Sequence, residues 1–301
     1  MIAEKYRFVI KLLFTIIILF FIIQLLDYNK LISALSIAKK EFLFFIFFSV
    51  PVWIWLKSLK WKILLSSLYP ETSISLACRS FLGGLGPGLL TPGKVGELAR
   101  TFYLPYGDNF KVISLVILDR YSDLISLLLL SGIGISHFFG VYYGIAIVIT
   151  AIFGIVLFYI FPILIKFFRI SVGRGELYKK LFIKLEDISK IKPLIFYKSL
   201  LLSLIMFLLS IFTSFLILNS FETTQLSIVY EVFPITLLTN ILPITIGNLG
   251  VREGATILLL REYGIDSEIA FNTAIILFFL HSFLPAIIGI YMVQSINKKV
   301  V

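Results

Sequence analysis

Ten ionisable residues stand in surroundings too oily to solvate them. Lys94, Glu97 and Arg100 lie in 91–100, TPGKVGELAR, directly after the Gly/Pro-broken apolar run 81–90, FLGGLGPGLL. Asp119, Arg120 and Asp123 interrupt the apolar run 112–138. Arg252 and Glu253 lie in 243–255, PITIGNLGVREGA, which has the same broken grammar as the first stretch. Arg79 and Glu231 complete the set. A charge at membrane depth costs roughly 2.5–3.5 kcal/mol on insertion scales, so such groups default to a functional reading. Lys94, Arg100 and Arg252 suit an anionic lipid headgroup, because arginine bonds two phosphate oxygens at once and lysine acts as a point charge. A helix start at each break would add free N–H groups and a positive dipole end. Glu97, Asp119 and Asp123 suit a cationic group or a proton. The competing reading is structural. Glu97 and Arg100 are three apart and can pair, Asp119 and Asp123 share a helix face, and the set would then fix broken helices against their neighbours.

Composition bounds the class of protein. The 301 residues are 59% apolar and 15% charged, with a mean hydropathy of +1.02. Soluble domains run at about 45–50% apolar and 25% charged. An all-α polytopic membrane protein is expected. Cys78 is the lone cysteine, so no intrachain disulfide can form. His137 and His281 lack metal-ligand spacing, and neither a metal nor a cofactor is expected. His281, before Pro285, reads as a packed polar residue or a proton carrier, and His137 as interfacial. The net charge of +10 raises the question of nucleic acid, but Lys and Arg cluster between apolar runs, as the positive-inside rule requires. No nucleic-acid partner is expected. There is no Walker A stretch, and Gly83-Gly84-x-Gly86-x-Gly88 follows no strand. The stretch 119–123 holds no DxD metal pair. No catalytic residue is assigned.

The elements that must carry these residues follow from the apolar runs. Six full spans are expected at 8–26, 42–65, 112–138, 140–165, 194–218 and 270–295, each long enough for a core of about 30 Å. The first is read as uncleaved, since no small-residue cleavage site follows it. A short interfacial helix is expected within 27–41, and a kink at Pro51. Trp53, Trp55 and Trp61, interleaved with Lys57, Lys60 and Lys62, read as an interfacial belt with snorkelling lysines. The stretch 73–104 reads as a re-entrant hairpin: a helix to about Leu82, a glycine turn, then a helix capped by Thr91 with Pro92 in its first position. The stretch 229–261 is the second such segment. Gly93, Gly96, Gly247 and Gly250 are the expected hinges. With the N-terminus cytoplasmic, sixteen Lys and Arg flank the inner side and three the outer. Both termini and the basic loop 166–192 are therefore expected inside. The two broken hairpins then enter from opposite sides. Residues 1–301 form one membrane domain with inverted halves, 42–138 and 194–295, which is a transporter layout.

Three motifs resemble a known family: Pro92-Gly93-Lys94-x-Gly96-Glu97-x-x-Arg100, Asp119-Arg120-x-x-Asp123 and Gly247-x-x-Gly250-x-Arg252-Glu253. They look like the lysylphosphatidylglycerol synthase transmembrane-region family, also called flippase-like domain proteins, over nearly the whole chain. Family members commonly carry Glu where this chain has Asp119, and Pro and Gly where it has Thr245 and Asn248. The resemblance implies a membrane domain that moves aminoacylated phospholipid between leaflets beside a soluble synthase domain, which this sequence lacks. Archaeal relatives are linked to polyprenyl-phosphate sugar pathways. The expectation is a translocase of the cell membrane for a phosphate-bearing lipid, either a phospholipid or a polyprenyl-phosphate. Its expected substrate-binding residues are Lys94, Glu97, Arg100, Asp119, Arg120, Asp123, Arg252 and Glu253. Two other readings stay open: a membrane transferase using Glu97 or Asp119 as base, and a scaffold for a lipid-modifying enzyme.

Overall fold

A computed structural model describes residues 2–24, 26–106, 109–171, 191–241 and 244–297. Those residues form helices: α1 Ile2–Gln24, α2 Tyr28–Ile37, α3 Lys40–Leu65, α4 Ile74–Leu90, a 3₁₀ helix Pro92–Tyr103, α5 Asn109–Phe139, α6 Val141–Ser171, α7 Pro193–Phe221, α8 Leu226–Leu238, α9 Val251–Arg261, α10 Ser267–Phe278 and α11 Leu284–Asn297. Most of the basic loop, with Pro243, Lys298 and Lys299, lies outside the described residues.

Among the described residues, four helical segments are long and apolar enough to cross a membrane: Lys40–Leu65, Val141–Leu164, Pro193–Phe221 and Ser267–Met292. They match four of the six expected spans. α5 has 31 residues and carries the Asp119-Arg120-x-x-Asp123 motif. The short helix expected within 27–41 is α2, whose start is capped by Asp27 accepting from Asn29 N and Lys30 N.

The first break differs from the expectation. There is no glycine turn after Leu82, since α4 runs through Gly83–Gly88 to Leu90. In lipid each unpaired backbone group is costly, so a helix kept intact through its glycines is favoured over an open turn. The glycines serve close approach instead. A Cβ at Gly83 would stand 2.6 Å from the Tyr103 ring, and one at Gly84 would stand 2.9 Å from Arg100 Cβ. One at Gly88 would strike Glu97 Cγ. The chain reverses at Thr91, whose backbone is extended, and Pro92 opens the 3₁₀ helix. Thr91 does not cap in the usual way. Its Oγ1 donates to Pro87 O at 2.9 Å and accepts from Gly96 N at 2.6 Å, stapling both arms of the hairpin.

The second break is a short turn, Ile246–Asn248, between α8 and α9. Gly247, Asn248 and Gly250 have φ of 61°, 59° and 87°. Asn tolerates the left-handed region because its side chain can bond locally, and here Asn248 Nδ2 donates to Thr239 Oγ1 at 2.8 Å. That is how the turn accommodates a residue other than glycine at positive φ. α1 supports it, with Thr15 Oγ1 accepting from Ile246 N at 3.0 Å. The two breaks touch: the 3₁₀ helix and the end of α4 contact the Ile246–Asn248 turn, and a Cβ on Gly247 would lie 3.7 Å from Leu89 O. Two apolar clusters pack around them, one centred on Trp61, Phe81, Leu115 and Phe196, the other on Val229, Phe233, Leu277 and Leu280.

Candidate functional site

In a 3₁₀ helix residues three apart eclipse one another. Glu97, Arg100 and Tyr103 therefore stand in one column, and the α4 glycines let that column lie close against α4. Arg100 is fully buried. Its Nη1 donates to Asp119 Oδ2 at 3.0 Å, its Nη2 to Glu97, and its Nε to the Glu97 carbonyl at 3.2 Å. The guanidinium lies 4.8 Å from the Trp61 ring and 5.6 Å from that of Phe81. This packing, with five donors in a rigid fork, leaves Arg100 little freedom.

Asp119 and Asp123 share the inner face of α5. Lys60 Nζ donates to Asp119 O at 2.8 Å and to Asp123 Oδ1 at 2.6 Å, and lies 2.8 Å from Asp119 Oδ1. Lys57 Nζ donates to Asp123 Oδ2 at 2.7 Å, and Ser203 Oγ on α7 donates to Asp123 Oδ1 at 2.8 Å. Arg120 pairs with Glu97 and sits 3.6 Å from Asp123 Oδ2. One connected network thus links α3, the 3₁₀ helix, α5 and α7.

Lys57 and Lys60 correct the belt reading. They are 5% and 0% exposed, and Trp53 and Trp61 are buried with them. Two buried aspartates on α5 need counter-charges, and α3 supplies them. Trp55 faces outward as a belt residue would.

The network borders a cavity of about 410 Å³, within the usual range of ligand sites, about 300–1,000 Å³. Lys57, Lys94, Glu97, Arg120, Asp123 and Arg252 supply its charged lining, and the apolar wall includes Phe81, Leu124, Leu127, Phe207 and Leu237. Among the expected site residues, Lys94, Glu97, Arg120, Asp123 and Arg252 line the cavity. Arg100, Asp119 and Glu253 sit behind it. Lys94 has φ of 56°, a conformation costing about 1–3 kcal/mol that persists only where surrounding structure enforces it. Arg252 pairs with Glu253, and its guanidinium lies 4.8 Å from the Phe278 ring.

The start of α9 is not an open anion site, contrary to expectation. Glu253 Oε2 accepts from Gly250 N at 2.6 Å, so the helix is capped by its own carboxylate. Arg79 is exposed. Glu231 belongs to a separate cluster with Tyr263 and His137. His281 sits in a π-helical turn, Phe279–Phe283. It stacks on Trp53 with ring centroids 5.3 Å apart, and lies 3.4 Å from Ser49 Oγ and 3.3 Å from Ser210 Oγ. It is a packed polar residue that also lines the cavity.

No curated protein matches the chain. Residues 8–289 match the family described as Lysylphosphatidylglycerol synthase TM region. With its three motifs gathered at the two breaks and around one cavity, the chain belongs to that family.

Proposed function

We propose that this membrane protein is a lipid translocase, which binds a phosphate-bearing headgroup between its two broken segments while the tails stay in the bilayer. Family membership supports a membrane lipid-related role. The observation that carries the finer reading is the cavity itself. It joins a cationic end, Lys94, Arg120 and Arg252, to an apolar wall, the division a lipid headgroup and its first methylenes require. Helix, broken pair, helix occurs twice in the chain, and the two breaks meet. That arrangement supports re-entrant hairpins in inverted halves with a site near the midplane. The transferase alternative needs Glu97 or Asp119 as a free base. Each is held by two cations, which favours transport over catalysis.

Purified protein in liposomes is expected to move a labelled phosphate-bearing lipid with no sugar donor present. Arg120→Gln and Arg252→Gln should each slow this at least about tenfold, since truncating a charged contact to a ligand costs about 2–5 kcal/mol. Movement no faster than in protein-free liposomes would end the reading.

The proposed orientation has both termini cytoplasmic. Lys57 and Lys60 leave the charge count as buried site residues, and the inner side keeps its excess. Cysteines placed in 172–190 should react with an impermeant thiol reagent only from inside. Labelling from outside would overturn the orientation and the inverted entry of the two hairpins.

A further inference from the structure

We infer, resting on the translocase reading, that the cavity selects a doubly negative phosphate, a phosphomonoester or diphosphate headgroup, against zwitterionic and cationic headgroups. The carboxylates are already engaged. Glu97 holds Arg100 and Arg120, and Asp119 holds Lys60 and Arg100. Asp123 holds Lys57, Lys60 and Ser203. Glu253 holds Arg252 and the Gly250 amide. An incoming ammonium would meet four cations on the cavity lining, Lys57, Lys94, Arg120 and Arg252, against two carboxylates, Glu97 and Asp123, that already hold cations.

The donors are in surplus. Arg120 Nε and Arg252 Nε are buried without a hydrogen-bond partner. Lys94 Nζ makes no hydrogen bond or ion pair among the described residues. At and behind the cavity stand six cations, Lys57, Lys60, Lys94, Arg100, Arg120 and Arg252, against four carboxylates, Glu97, Asp119, Asp123 and Glu253. Two positive charges are left over in a low-dielectric setting, where an unpaired charge is strongly unfavourable. A phosphate ester with a second ionisation carries about −1.5 to −2 at pH 7, which neutralises the surplus and offers oxygens to the unused donors. A diester supplies one negative charge, and an amine on the headgroup adds a positive charge to a site already in cationic surplus.

The test is retention of defined lipids by the full-length protein, read by native mass spectrometry from nanodiscs. Phosphatidic acid, as the monoester probe, is expected to be retained at least about tenfold over phosphatidylcholine, a gap of about 1.4 kcal/mol. It should exceed lysylphosphatidylglycerol by more. Lys94→Gln with Arg252→Gln should erase that preference. Lys94→Arg should keep it, which separates lost charge from lost folding if the double variant is unstable. Equal or stronger retention of phosphatidylcholine or lysylphosphatidylglycerol would overturn the inference. So would a preference that survives in a folded double variant. Added inorganic phosphate distinguishes the source: displacement of phosphatidic acid identifies the free ion as sufficient, and no displacement identifies the lipid ester. Either result supports the dianion. Rapid translocation of phosphatidylcholine would defeat this inference and leave transport standing. Selective retention without translocation would do the reverse.

Discussion

Asp123→Ala is expected to destabilise the protein by about 3–5 kcal/mol, the usual cost of stripping a buried ion pair of one partner. Asp123 accepts from Lys57, Lys60 and Ser203. Its removal leaves Lys57 without its hydrogen-bonded counter-ion and Lys60 dependent on Asp119. Both lysines are buried, so each loses a counter-charge where solvation is poor. The measurement is thermal unfolding in detergent, followed with a dye that reacts with Cys78, the lone cysteine. Ser203→Ala should cost much less, about 1 kcal/mol, because it removes one hydrogen bond and leaves the charges balanced. Joint replacement by Asp123→Leu and Lys57→Met should recover part of the loss, since a matched apolar pair avoids the desolvation that a lone charge suffers. An unchanged midpoint in Asp123→Ala would show that the network contributes little to stability.

Gly96→Leu is expected to abolish translocation while the protein still inserts. Any Cβ at Gly96 would collide with the Pro87 carbonyl and with Thr91 Oγ1, the atom that staples the hairpin. Backbone cannot swing aside as a side chain can, so overpacking at or beyond the usual 1–3 kcal/mol is expected. Gly254→Ala is the control. It lies within α9, and its nearest neighbour would be Ile22 Cδ1 at 3.7 Å, an ordinary contact. It should be neutral or stabilising by up to about 1 kcal/mol. Full transport by Gly96→Leu, measured beside its insertion level, would mean that close approach at this point is dispensable.

The two breaks, the pairing of Glu97 with Arg100 and the shared face of Asp119 and Asp123 were all readable from spacing. The α3 lysines were misread because tryptophan beside lysine is also the pattern of an interfacial belt. Helical spacing held the missing signal. Positions 53, 57, 60, 61 and 64 fall on one face, whereas 55 and 62 fall on another, so a belt was the wrong shape for the first group. Two aspartates in an apolar run also required cations from somewhere. Ser203 was less accessible, because a serine on an apolar helix is ordinarily bonded to its own backbone. In sequence the glycine row of α4 reads as a turn, since glycine serves turns and close approaches equally well. Only its partners across the hairpin, Tyr103, Arg100 and Glu97, tell the two uses apart.

The twelve residues Pro92–Tyr103 are wound as a 3₁₀ helix, and that winding is a matter of angle as well as length. At three residues per turn the column Glu97, Arg100, Tyr103 stays aligned, whereas at 3.6 per turn each step of three would fall back by about 60°. In the α form Tyr103 would point about 120° away from Glu97, and the segment would be shorter by about 6 Å. The pitch of one short helix therefore decides whether the cavity's glutamate and the buried arginine belong to the same row. A residue that favours the looser winding would disperse the row without altering a single charge.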